Sequence, residues 1–140
     1  MVKIDLSYQG DLRVEAQHGP SGTRLHTDAP VDNQGKGESF SPTDLVATGL
    51  GSCMATIMGI VSRKHAIDLQ GMEIRVEKIM SQTAPRRIAA LEVDFQIPVR
   101  PEEDQVKLLE DAAHTCPVAL SIHPDIQVRT QFFWGSKKNI

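Results

Sequence analysis

The chain has 140 residues, of which 40% are hydrophobic, with 15 basic against 18 acidic side chains and a formal net charge of −3. That length suits about one domain of ordinary globular composition. The near balance of charge excludes the basic footprint of a nucleic-acid binder or of a protein drawn to an anionic membrane surface.

Two cysteines, Cys53 and Cys116, are too few for a disulfide scaffold, and their wide separation excludes a CxxC redox or zinc pair. Met1-Val2-Lys3-Ile4-Asp5-Leu6 lacks a basic segment followed by an apolar one, so no secretory signal is read there. A reducing cytoplasm is the expected compartment. There, two thiols are either inert core residues or chemical ones.

Three short strands are expected first. Residues 2–8 alternate apolar and polar with a period of two, and residues 12–16 do so again after Gln9-Gly10-Asp11. A third run, 23–29, follows the turn cluster His18-Gly19-Pro20-Ser21-Gly22. Together they read as an antiparallel meander. A polar loop, 30–40, leads to the strongest helix start in the chain: Ser41 as N-cap, Pro42 at the first helical position and Asp44 three beyond the cap.

The helix should run to about His65, closing with Arg63 and Lys64 beside its carbonyl-rich end. Residues 45–61 carry no charge. Such a run is at the short limit for crossing a bilayer, and its many small residues predict a fully enclosed core helix instead. Gly49, Gly51 and Gly59 each cost about 1 kcal/mol against alanine in a helix, which close approach of another backbone would offset.

Residues 72–79 and 91–97 alternate as strands, with Ala84-Pro85-Arg86-Arg87 in the connection between them. Residues 102–115 form an amphipathic pattern with Val106, Leu109, Ala112 and Ala113 on one face. Cys116-Pro117-Val118 and a short turn follow, then a last strand over 126–134. The expected fold class is α+β, in the order βββ-α-ββ-α-β, as a single domain over 1–140.

Read by position alone, Cys53 is either a small core hydrophobe or a nucleophile, and the second role needs a cation that its own helix does not supply. Pro117 breaks the chain directly after Cys116 and holds that thiol at a helix–turn junction. Two such thiols could serve as nucleophile and resolving group in peroxide reduction. Arg13 and Arg24, on the second and third strands, are the candidate activating cations, each also readable as a solvated strand residue. Glu38 could secure an arginine or lie on the loop surface. The histidines at 18, 26, 65, 114 and 123 have no metal spacing, and Gly35-Lys36-Gly37 is no phosphate loop.

Ser41-Pro42-Thr43-Asp44-Leu45 with Gly51-Ser52-Cys53, and His114-Thr115-Cys116-Pro117-Val118 further on, resemble the OsmC/Ohr family of osmotically inducible and organic hydroperoxide resistance proteins. The resemblance implies an intertwined homodimer whose strands wrap two central helices. It further implies that Cys53 attacks an organic hydroperoxide and Cys116 resolves the sulfenic acid as a disulfide. A dithiol or lipoylated protein would supply electrons, with no metal or bound organic cofactor. An arginine from the early strands, Arg13 before Arg24, would activate Cys53.

The family's glutamate after the helix-initial proline is replaced by Thr43, and Asp44 points about 100° further round the helix. The chain therefore reads as a divergent OsmC-like peroxidase. A noncatalytic dimer binding a small apolar ligand and a thiol redox sensor are the alternatives.

Overall fold

The computed structural model describes residues 1–135. Its secondary structure follows the expected α+β order: β1 (Ile4–Gly10), β2 (Arg13–His18), β3 (Arg24–Asp28), α1 (Pro42–Lys64), β4 (Glu73–Met80), β5 (Ile88–Ile97), α2 (Glu103–His114) and β6 (Gln127–Trp134). A short 3-10 turn at Val31–Asn33, not anticipated, interrupts the loop before α1. The residues form two compact units, Met1–Val46 and a second beginning at Ala47, each with its own three-stranded sheet.

In the first unit β1, β2 and β3 pair antiparallel in sequence order. Asp11 and Leu12 both take positive φ (52° and 62°), the conformation that matches a tight hairpin to the twist of its strands. Alternation sorts the side chains by face. Leu6 stands opposite Ala16, which stands opposite Leu25, whereas Arg13 stands opposite Asp28 and Glu15 opposite His26. On the apolar face Ile4, Leu6, Tyr8 and Leu25 are all exposed in the single chain.

In the second unit β5 is the central strand, antiparallel to β4 and parallel to β6. A parallel neighbour needs a crossover connection, and α2 supplies it between β5 and β6. Leu91, Val93, Phe95 and Ile97 alternate inward along β5 with no exposed surface. They meet Leu50, Met54 and Met58 of α1 and Leu109 and Ala113 of α2 in one cluster. Phe95 stacks on Phe132 of β6 with ring centroids 4.7 Å apart.

Within the single chain α1 is buried on one side only. Its buried residues, Ala47, Leu50, Gly51, Met54, Met58 and Ser62, form a single stripe, and Val46 and Ile60 on other sides remain exposed. A three-stranded sheet can cover one side of a helix, so the chain alone leaves the rest open. The glycines divide accordingly. A Cβ at Gly51 would come within 2.7 Å of Val76 Cγ2, a genuine close approach, but at Gly49 and Gly59 it would meet nothing within 4 Å. The close neighbour at Gly51 is a side chain and not the backbone that the sequence suggested.

Candidate active site

Two clusters carry the residues singled out by the sequence, one in each unit. In the second unit, Cys53 lies on α1 beside the buried stripe, half-buried and packed against the core. Cys116 follows the end of α2 and is fully buried. Both are free thiols, and Cys53 lies near enough to Cys116 to act on the ionisation of its thiol.

The chain reaches this arrangement through the break at Pro117. α2 ends at His114, and the Thr115 and Cys116 N–H groups donate back to Ala112 and Ala113 carbonyls at 3.2 and 3.4 Å. The next turn is held by the Leu120 N–H donating to the Cys116 carbonyl (3.1 Å) and the Ile122 N–H to that of Val118 (3.0 Å). It also aims the Ala119 N–H at Cys116 Sγ, 3.3 Å away. Burial pushes the Cys116 thiol up from its ordinary pKa, the Ala119 N–H works against that, and nearby Cys53 adds to the rise. Cys116 is thus a protonated thiol at neutral pH.

The cluster in the first unit centres on Arg13. Its Nη2 donates to Glu38 Oε2 in a short contact and lies 3.6 Å from Asp28 Oδ2. Asp28 is 2% exposed, against 59% for Glu38. The Glu38 N–H donates to Asp28 Oδ2 at 3.0 Å, so the buried carboxylate holds both the arginine and the backbone that carries the second acid. That hydrogen bond is the chief cause of a lowered Asp28 pKa; burial opposes it and the Arg13 charge reinforces it. The hydrogen bond to Glu38 in turn raises the pKa of Arg13, keeping the guanidinium charged.

The loop that delivers Glu38 depends on Gly35. A Cβ there would stand 1.7 Å from the Ala29 carbonyl oxygen, so only glycine permits the packing. Gly35 and Gly37 donate their N–H groups to the Pro30 and Ala29 carbonyls at 3.0 and 3.1 Å. The Asp28 N–H closes the far end on the Phe40 carbonyl at 3.1 Å.

Arg24, the second candidate, is 59% exposed and stands 3.6 Å from Glu15, which also meets His26 at 3.1 Å. The Thr43 hydroxyl lies 3.1 Å from that of Ser41. Asp44 closes a reciprocal cap, accepting from the Ser41 N–H (2.8 Å) while its own N–H donates to Ser41 Oγ (3.1 Å). The acids that hold Arg13 are therefore Glu38, which the sequence raised, and Asp28, which it passed over. Asp28 could have been found only by pairing β2 with β3 in register, where it falls directly opposite Arg13. Among the described residues no three His, Cys, Asp or Glu side chains gather as a metal-ligand set.

A family model for OsmC-like proteins matches residues 35–131, a span that takes in both cysteines. This chain belongs to the OsmC-like family. A candidate osmotic stress induced and detoxification response protein from Psychrobacter arcticus is 46% identical, with 94% of this chain and 96% of that one covered and a TM-score of 0.89. The OsmC-like fold extends to more distant proteins. An organic hydroperoxide resistance protein from Legionella pneumophila is 16% identical at a TM-score of 0.76, covering 95% and 96% of the two chains. One from Elizabethkingia anophelis is also 16% identical at 0.76, with 96% of each chain covered. A comparison with curated protein sequences gives no match.

Proposed function

We propose that this OsmC-like protein is a cytoplasmic thiol peroxidase that reduces organic hydroperoxides, with Cys53 as the attacking thiol and Cys116 as the resolving one. The observation that carries the reading is the nearness of a half-buried thiol to a fully buried one. A Cys53 thiolate attacks the terminal peroxide oxygen, the O–O bond breaks, and the alcohol leaves after taking a proton. The Cys53 sulfenic acid then condenses with the Cys116 thiol, forming a disulfide and releasing water. A dithiol restores both sulfurs.

The 46% identity to a candidate detoxification response protein supports the same assignment. Arg13 supplies the cation: it cannot deprotonate, and two carboxylates fix it in place. The working form is a homodimer, supported by the uncovered side of α1 and the exposed apolar face of β1, which a single chain leaves in water.

Reduced protein mixed with cumene hydroperoxide should lose both thiols rapidly. Cys53→Ser should be inert, and Cys116→Ser should accumulate a sulfenic acid at position 53. Slow oxidation indifferent to Cys53 would reject the peroxidase and leave the binding of an apolar ligand as the better reading.

A further inference from the structure

The proposed cycle leaves open which sulfur of the Cys53–Cys116 disulfide the reductant attacks. We infer that the incoming dithiol attacks Cys53 Sγ and that Cys116 is always the leaving group. This step rests on the proposed disulfide but not on peroxide as the oxidant that forms it.

Thiol–disulfide exchange requires a thiolate to approach one sulfur along the S–S axis, so access selects the sulfur attacked. Cys116 has no exposed surface, and the turn that follows it closes over its sulfur from the Ala119 side. Cys53 is half-buried, so of the two sulfurs it is the one whose residue keeps exposed surface. The side of Cys53 that admits a hydroperoxide admits a thiolate as well.

The leaving group is provided for on the other side. A thiolate released at Cys116 forms beside the Ala119 N–H, which is already aimed at the sulfur at 3.3 Å. Neutral backbone donors of this kind stabilise a sulfur anion without offering a competing nucleophile. Burial then favours protonation of that thiolate, which removes it as an attacker on the new mixed disulfide.

The step balances as follows. The thiolate of a singly ionised dithiol bonds to Cys53 Sγ, and the S–S electron pair leaves on Cys116. The dithiol's second thiol gives its proton to Cys116 and attacks its own first sulfur. Cys53 departs as a thiolate and the reductant leaves as a cyclic disulfide, two electrons having passed to the protein.

The test uses full-length protein oxidised with diamide, which forms the disulfide without any peroxidase step. A brief pulse of a small monothiol such as 2-mercaptoethanol, followed by acid quench and alkylation, leaves a mixed disulfide to be located by peptide mass mapping. The adduct is expected on the peptide containing Cys53 in at least tenfold excess over that containing Cys116. Equal or greater labelling of Cys116 overturns the inference and leaves the peroxidase reading intact. Failure of diamide to form the intramolecular disulfide overturns both.

Discussion

Arg13 of β2 and Asp28 of β3 are direct cross-strand partners, and the carboxylate of the pair is almost completely buried while the guanidinium is about one-third exposed. The contact runs through Arg13 Nη2 alone, and Arg13 Nε and Asp28 Oδ1 are buried without a hydrogen-bond partner among the described residues. Asp28 also receives the Glu38 N–H, so one carboxylate ties β2, β3 and the loop before α1 together. The arginine is held from beneath by Asp28 and from the solvent side by Glu38.

The first prediction concerns acid stability. The folded-state pKa of Asp28 lies below its ordinary value, so its ionised form stabilises the fold. The contribution is fully present above the ordinary aspartate pKa of about 4 and is lost as pH falls towards the lowered folded value. Asp28→Asn should have a lower Tm at pH 7 and a shallower fall of Tm between pH 4 and 2 than the parent. Parallel Tm curves over that range would show that Asp28 contributes nothing ionic.

The second concerns the cation. Arg13→Ala should slow hydroperoxide-driven thiol loss by a factor of about ten or more, equivalent to about 1.4 kcal/mol of lost charge stabilisation. Glu38→Gln should slow it less, because Asp28 still holds the arginine. Arg24→Ala should stay within about twofold, since that side chain lies largely in solvent beside Glu15. Stopped-flow thiol titration distinguishes these; a wild-type rate in Arg13→Ala moves the assignment to Arg24.

Two glycine substitutions should separate a packing cost from a loop cost. Gly51→Ala pushes a methyl against the end of the Val76 side chain, and overpacking of about 1–3 kcal/mol is partly offset by about 1 kcal/mol of helix propensity. Gly35→Ala meets backbone at 1.7 Å, so the loop must rebuild and Glu38 should leave Arg13. Thermal unfolding should rank Gly35→Ala as the more damaging. Tm values for Gly35→Ala at or above those of Gly51→Ala would contradict the loop geometry.

Assembly can be probed on α1. Ile60→Glu places a charge on the side of the helix that the chain does not cover. In a dimer formed through that side, a buried unpaired carboxylate is strongly disfavoured, so sedimentation should detect monomers where the parent sediments as a dimer. A parent protein that is monomeric at micromolar concentration would rule out the homodimer.

Much of the fold was legible because local rules govern it. The expected strands became β1 through β6 within a few residues of their expected limits, and the cap at Ser41 and Asp44 formed as its spacing implies. The parallel pairing of β6 with β5 was not legible, since alternation describes a strand but not its neighbour. The single chain supplies only part of the enclosure expected for α1, for a related reason. Composition can show that a helix is apolar all round, but it cannot count the surfaces available to cover it.

By itself the sequence determined the element order, the start and end of the central helix, and the family to which the two cysteine segments belong. Position along the chain left Cys53 undecided between packing and chemistry. Only the tertiary structure decided that Cys53 lies near Cys116, that Cys116 is wholly buried, and that Asp28 joins Glu38 on Arg13. The physical reason is range. Caps, turns and strand periods arise from contacts a few residues apart, whereas the thiol pair and the arginine clamp are set by helix packing and strand register between segments distant in sequence.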